Sequence, residues 1–490
     1  MFETAELGHR VDKKAFVEAE AQLRAQLLQV QRQLPGAGFQ TIVIVAGVEA
    51  AGKSEVVNRL HEWLDARGLT TAAFWDESDE ERERPRHWRF WRQMPPRGGI
   101  GILFGSWYTH PIVERAHARM SQPELEAELV RIQGLERMLA DDGAVIVKLW
   151  FHLSKTAQDA RLKAIAREGH RKLTPWEKAF AAMYDAFAEV SEGVLRRTDA
   201  AHAPWHVIES TDARYRDLKA GRVLLAALQQ RLARQPAAPI EPAPAVAEPG
   251  ERLPVLDRVD LSARLPRAAY GQRLEAAQKR LNALVWKARA QQRSVVAMFE
   301  GWDAAGKGGA IRRITQALDA RLFRVIPVAA PSDEERAQHH LWRFWRHLPR
   351  AGYLTIYDRS WYGRVLVERV EGFAGVDEWG RAYREINEFE RQLTDHGSVL
   401  AKFWLHISPE EQLRRFEERE RTEHKRHKIT DEDWRNREQW PLYEAAVDEM
   451  VARCSTANAP WTLVAAECKL HARVTVVQTL ADRLERVLGG

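Results

Sequence analysis

The stretch Gly301-Trp302-Asp303-Ala304-Ala305-Gly306-Lys307-Gly308-Gly309 carries the residue types that grip a phosphoryl group. Gly301, Gly306 and Lys307 fit the opening positions of a phosphate-binding loop. Such a loop turns the backbone N–H groups of Gly301, Ala304, Ala305, Gly306, Gly308 and Gly309 toward an anion and adds the positive end of the next helix. Lys307 would then meet the transferable phosphate. Gly308 occupies the place where the usual pattern has a Ser or Thr that holds magnesium, so another group must hold the metal. Asp358 is one candidate, because it ends the apolar run Tyr353 to Tyr357 as a strand-end carboxylate should. Asp303, inside the loop, is a second. Each has a plainer reading: Asp358 as a helix cap and Asp303 as a turn-stabilising side chain.

Cations cluster nearby. Arg359 follows Asp358, and Arg364 and Arg369 come soon after. Phosphoryl transfer is catalysed mainly by positioning and by neutralising charge on oxygens, which suits Arg359 and Arg364. Arg369 reads as part of a solvated helix face. In WRFWR (Trp342 to Arg346) the two tryptophans share a helix face and read as core, whereas Arg343 and Arg346 share another and could line an anion channel. The basic run Arg414 to Lys428, with Arg421, Lys425 and Lys428, reads as a mobile lid over a polyanion, against the plainer reading of a solvated helix.

These residues need a scaffold, and the apolar run Val295 to Phe299 before the loop reads as a buried parallel strand, with a helix expected over Ala310 to Ala320. The whole arrangement occurs twice. Gly47 to Lys53 (GVEAAGK) repeats Gly301 to Lys307 at an offset of 254 (301 − 47), and the offset persists through SDEER, WRFWR, SWY and K-x-W-x-H-x-S. APW recurs at Ala203 and Ala459. A period this long marks a domain duplication. Each copy opens with an amphipathic helix (Lys13 to Leu34; Ala268 to Gln291). Strands then alternate with helices (Thr71 to Phe74, Ile100 to Phe104 and Ala144 to Phe151; Phe323 to Val328, Tyr353 to Tyr357 and Ser398 to Leu405), which implies parallel βαβ units. The end of each copy reads as mainly helical. The expected fold is α/β: two tandem phosphate-loop NTPase-like domains, each a mostly parallel sheet covered by helices, with a helical lid. The domains are 1–234 and 255–490, joined by a proline-rich linker over 235–254.

Composition sets further bounds. Of 490 residues, 45% are hydrophobic and 29% charged, and 74 basic against 69 acidic residues give a net charge of +5. That slight excess argues against a nucleic-acid-binding phosphate-loop protein. Cys454 and Cys468 give no disulfide framework. With no signal peptide or membrane span in the sequence, a cytoplasmic protein is expected.

EGWDAAGKGG (Glu300 to Gly309), YDRSWYGR (Tyr357 to Arg364), the WRFWR helix, the basic run and APW at Ala459 together resemble the polyphosphate kinase type 2 family. These are phosphate-loop kinases that move phosphoryl groups between inorganic polyphosphate and nucleotides. The resemblance spans nearly all of the second copy, and the tandem arrangement looks like the subgroup that phosphorylates AMP to ADP. It implies functional roles for Asp303, Lys307, Asp358 and Arg359, with Asp303 and Asp358 on Mg2+. The implied partners are polyphosphate and AMP/ADP, with no nucleic acid and no membrane; a homo-oligomer is allowed. Bases remote from the loop (Arg343, Arg346, Arg421, Lys425, Lys428) would hold remote phosphates. Gly363 departs from the Asn usual in the family. The alternatives are a polyphosphate-dependent nucleoside diphosphate kinase or an ATP-dependent nucleotide kinase. The first copy departs further, with Phe104, Gly105 and His110 at the positions of Asp358, Arg359 and Arg364, and Glu49 and Ser54 at those of Asp303 and Gly308. It is therefore expected to be inactive.

Overall fold

A computed structural model describes residues 1–74, 76–168, 178, 179, 182–234, 254–422 and 431–489. Nearly all of the expected linker, together with Lys425 and Lys428, lies outside the described residues. Contacts divide the chain into two compact units: Met1–Glu77 with Arg89–Ala237 and Asp333–His339, and Ser78–Trp88 with Ala238–Ser332 and His340–Gly490. Each unit thus includes a short segment from the other half of the sequence.

Both units are built on a five-stranded parallel sheet. In the first, β1 (Thr41–Gly47), β2 (Leu69–Ala73), β3 (Ile100–Phe104), β4 (Val145–His152) and β5 (Trp205–Glu209) lie in the order β2-β3-β1-β4-β5. In the second, β6 (Val295–Gly301), β7 (Phe323–Pro327), β8 (Leu354–Asp358), β9 (Val399–His406) and β10 (Trp461–Ala465) lie in the order β10-β9-β6-β8-β7. The loop strand is central in each. Central strands are covered on both faces, which is why β6 and β9 read as mostly apolar runs, with Glu300, Lys402 and His406 as buried exceptions. The expected helical end of each copy is corrected here: APW leads into a fifth strand. β10 buries only part of its short Trp-Thr-Leu-Val-Ala run, as an edge strand does, so its apolar pattern is weak.

The helices that matter below are α1 (Lys13–Gln31), α2 (Lys53–Trp63), α3 (Ala213–Ala233), α4 (Arg267–Ala290), α5 (Lys307–Thr315), α6 (Val376–Asp395), α7 (Pro409–Arg421), α8 (Asp431–Glu438), α9 (Trp440–Cys454) and α10 (Lys469–Leu488). α5 begins earlier than the expected Ala310, because Gly306 with φ +112° turns the chain straight into the helix at Lys307. In the second unit α10 packs along α4 and against α5.

A buried ion pair ties sheet to helix in both units. Lys402 of β9 is fully buried, meets Glu390 of α6 at 2.7 Å, and donates to the Tyr362 hydroxyl at 2.8 Å and the Cys454 carbonyl at 2.7 Å. Lys148 repeats this with Glu136 at 2.8 Å, Tyr108 at 3.0 Å and the Thr198 carbonyl at 2.8 Å. Burial alone pushes the lysine down and the carboxyl up, and each charge offsets the other's cost. Its presence in both copies, including the one lacking Asp358, marks it as part of the scaffold.

Candidate active site at the second phosphate loop

β6 delivers the loop and β8 delivers Asp358, and their register sets Asp358 opposite Phe299, just before Gly301. This is the carboxyl edge of an open parallel sheet beside the strand where the order reverses, the place where such folds bind ligands. Gly301 has φ +148°, and a Cβ there would lie 2.6 Å from the Leu405 carbonyl, so only glycine lets β9 approach this closely. Lys307 folds back over the loop and donates to the carbonyls of Gly301 at 2.6 Å and Trp302 at 3.3 Å.

Asp303 is held at both oxygens. Arg359 reaches Oδ1 at 3.5 Å, and the Asn436 amide donates to Oδ2 at 3.0 Å. Asp358 is half-buried, and no side chain among the described residues donates a hydrogen bond to its carboxylate. Arg359 adopts a left-handed backbone, φ +66°. Burial works against its charge, but Asp303, Glu300, Glu432 and Asp358 hold the guanidinium above its ordinary value. Beneath the loop, Glu300 is buried and accepts from the Ser360 hydroxyl at 2.7 Å. Burial pushes its carboxyl up, against that hydrogen bond and the nearby charges of Lys307 and Arg359.

The other expected cations have partners of their own. Arg364 pairs with Glu368 at 3.1 Å and lies 3.7 Å from Glu378. Arg343 donates to the Ala329 carbonyl at 3.0 Å, and Arg346 stacks over Trp342, with Trp342 and Trp345 both in the core. Arg421 sits exposed at the end of α7, 3.3 Å from Glu417. Two expectations are corrected. Arg369 is not on a solvated face; it pairs with Glu449 at 2.6 Å and stacks on Trp379. Nor does the basic run form a uniform lid face, since Arg415 is 1% exposed and donates to the carbonyls of Ala304, Ala305, Ala466 and Glu467, buttressing the loop from behind.

Beside the loop opens a cavity of about 190 Å³, lined by Ala304, Ala305, Gly306, Gly309 and Ala310 together with Arg415, Arg419, Lys469, Arg473 and one acid, Glu418. Burial and the charge of Arg415 push the Lys469 ammonium down. A polyanion is the ligand that would relieve so many cations.

The first unit treats its own loop differently. Glu49, at the place of Asp303, pairs with Lys53 at 2.9 Å and neutralises it. Arg216 of α3 is buried, meets Asp217 at 2.8 Å and lies so close to Gly52 that a Cβ there would collide with its guanidinium. Gly105, at the place of Arg359, has φ +79°.

Glu300 and Asn436 gained no role from the sequence, and Arg415 was read only as part of the basic run. Glu300 had one readable sign: it lies inside the loop motif and is replaced by Ala46 in the first copy.

Comparison with known proteins agrees with this geometry. A family model described as Polyphosphate kinase 2 matches residues 10–236 and 264–488. The chain is 49% identical over 490 residues, covering 99% of each chain, to a Pseudomonas aeruginosa protein named Polyphosphate:AMP phosphotransferase. It is 47% identical, over 99% of this chain and 98% of the other, to one of the same name from Pseudomonas syringae pv. tomato. A crystal structure described as a putative polyphosphate kinase 2 from Pseudomonas aeruginosa superposes with a TM-score of 0.90 at 47% identity, covering 99% of both chains.

Proposed function

The chain belongs to the polyphosphate kinase 2 family, and from that premise we propose that it moves the terminal phosphoryl group of inorganic polyphosphate onto AMP, giving ADP. One observation carries the acceptor: the relatives that align over both copies, end to end, are named for AMP. The donor reading is supported by the cation-lined cavity that continues from the loop, which offers anion contacts beyond those one phosphate needs.

In the reaction, an AMP phosphate oxygen forms a bond to the terminal phosphorus while the bridging P–O bond of the donor breaks, and the shortened polyphosphate leaves with the bridging oxygen. No covalent enzyme intermediate is needed. Lys307 exchanges its two carbonyl contacts for phosphate oxygens, and the loop N–H groups fix the donor end. Arg359 neutralises charge that develops on the equatorial oxygens. The carboxylates of Asp303 and Asp358 are hard oxygen donors, and that of Asp358 accepts from no side chain among the described residues, so the pair fits a divalent cation such as Mg2+. When bound, the cation would screen the donor's oxygens. The first copy, with a neutralised lysine and no strand-end carboxylate, serves as a scaffold. Both cysteines are free, which supports a reducing, cytoplasmic setting.

The test is direct. Purified full-length protein with Mg2+ and polyphosphate receives AMP, ADP, GMP or GDP singly, and the nucleotides are resolved. ADP from AMP is expected; an enzyme that leaves AMP intact while converting ADP to ATP would overturn the choice of acceptor.

A further inference from the structure

The short helix α8 brings residues onto the site that neither the loop nor the strand end supplies. Asn436 donates from Nδ2 to Asp303 Oδ2 at 3.0 Å, and the Tyr443 hydroxyl of α9 donates to Asn436 Oδ1 at 3.2 Å, which fixes the amide so that its NH2 faces the carboxylate. One turn earlier, Glu432 faces Arg359 closely enough to act on its charge. Arg435 pairs with Glu371 at 3.0 Å, and Trp440, at the start of α9, stacks on Trp302 with ring centroids 3.6 Å apart. Asn436 is therefore held in place from several sides.

The chemistry of the partner matters. Arg359 already reaches Asp303 Oδ1 at 3.5 Å, and a second cation at Oδ2 would fix the orientation but cancel the remaining charge. In the duplicate, Lys53 pairs directly with Glu49 at 2.9 Å. The neutral amide of Asn436 fixes the carboxylate through Oδ2 and adds no positive charge to that of Arg359 at Oδ1. We propose that Asn436 is a positioning residue that orients Asp303 toward a divalent cation without adding a positive charge of its own. The inference rests on the reading of Asp303 as a metal-facing carboxylate and adds the group that keeps it so.

Full-length Asn436→Ala and Asn436→Leu both lose the N–H donor, and Leu keeps the volume. Binding of Mn2+, followed by electron paramagnetic resonance without nucleotide or polyphosphate, should weaken by about 10- to 100-fold in both, the usual cost of losing a partner behind a metal ligand. The Mg2+ concentration for half-maximal activity should rise in parallel, while thermal unfolding stays close to wild type. Tyr443→Phe, which frees the amide to rotate, should shift Mn2+ affinity the same way by less. Wild-type Mn2+ affinity in either Asn436 variant would overturn the proposal, as would a Leu variant that matches wild type where Ala does not, since that is the signature of packing. The Mn2+ titration uses no substrate. A wild-type protein that leaves AMP unphosphorylated would defeat the proposed function, and the titration would still decide the role of Asn436.

Discussion

Arg359 and Gly105 occupy equivalent positions with the same left-handed backbone, φ +66° and +79°. Glycine adopts that conformation freely, whereas a residue with a Cβ is strained there by about 1–3 kcal/mol. The second copy keeps an arginine in a place that its twin filled with the unstrained residue, which points to a role for the guanidinium. Arg359→Gly is expected to raise stability by about 1 kcal/mol in thermal unfolding while lowering turnover by about a hundredfold; a variant that is both more stable and fully active would remove Arg359 from the reaction. Asp358→Asn keeps shape and loses charge, so turnover should fall by about a hundredfold or more with the fold intact, measured with polyphosphate and AMP at saturating Mg2+. Near-normal turnover in that variant would reduce the carboxylate to a structural part. Lys307, Asp303, Asp358 and Arg359 were readable because they lie within or just beyond one motif each. Asn436 was not: it sits 133 positions from Asp303, within Asp-Glu-Asp-Trp-Arg-Asn-Arg-Glu, which looks like any solvated charged helix.

Among the elements, the buried pair Lys402–Glu390 joins β9 to α6. Removing one partner leaves the other charge buried alone. Lys402→Met should cost about 3–5 kcal/mol, and Lys402→Met with Glu390→Gln should recover a good part of it, read as two thermal-unfolding shifts. A double variant no better than the single would mean the pair is not coupled. The long central strands were legible because both faces are buried and most of the run is apolar. β5 and β10 escaped notice because each is a short strand at the sheet edge with mixed burial, and only the repeated APW hinted that anything regular began there. The start of α5 was set by the backbone of Gly306, a conformational fact that side-chain periodicity does not carry.

Across the whole molecule, duplication produced two loops with opposite internal chemistry. In the first, Glu49 and Arg216 supply the counter-charge and the bulk that a phosphate would otherwise bring. In the second, Lys307 donates to the Gly301 and Trp302 carbonyls while Asp303 meets Arg359 and Asn436, and a cation-lined cavity stays open. Lys53→Ala should therefore leave turnover within a few-fold of wild type, whereas Lys307→Ala should nearly abolish it, in the same assay on the full chain. Equal losses would mean that both copies catalyse. The repeat itself was plain in the sequence, as was the loss of Asp358 from the first copy; the plug of Arg216 on Gly52 was not, because the two residues are far apart in the chain and meet only through packing of α3. The chain carries 18 tryptophans, of which Trp302 and Trp440 form a close, near-parallel pair, 3.6 Å apart and inclined by 12°. The corresponding residue in the first copy is Val48, so nothing there duplicates it. Two indoles stacked this closely couple their electronic transitions, so the difference in circular dichroism between wild type and Trp440→Leu would read the seating of α9 on the phosphate loop without any label.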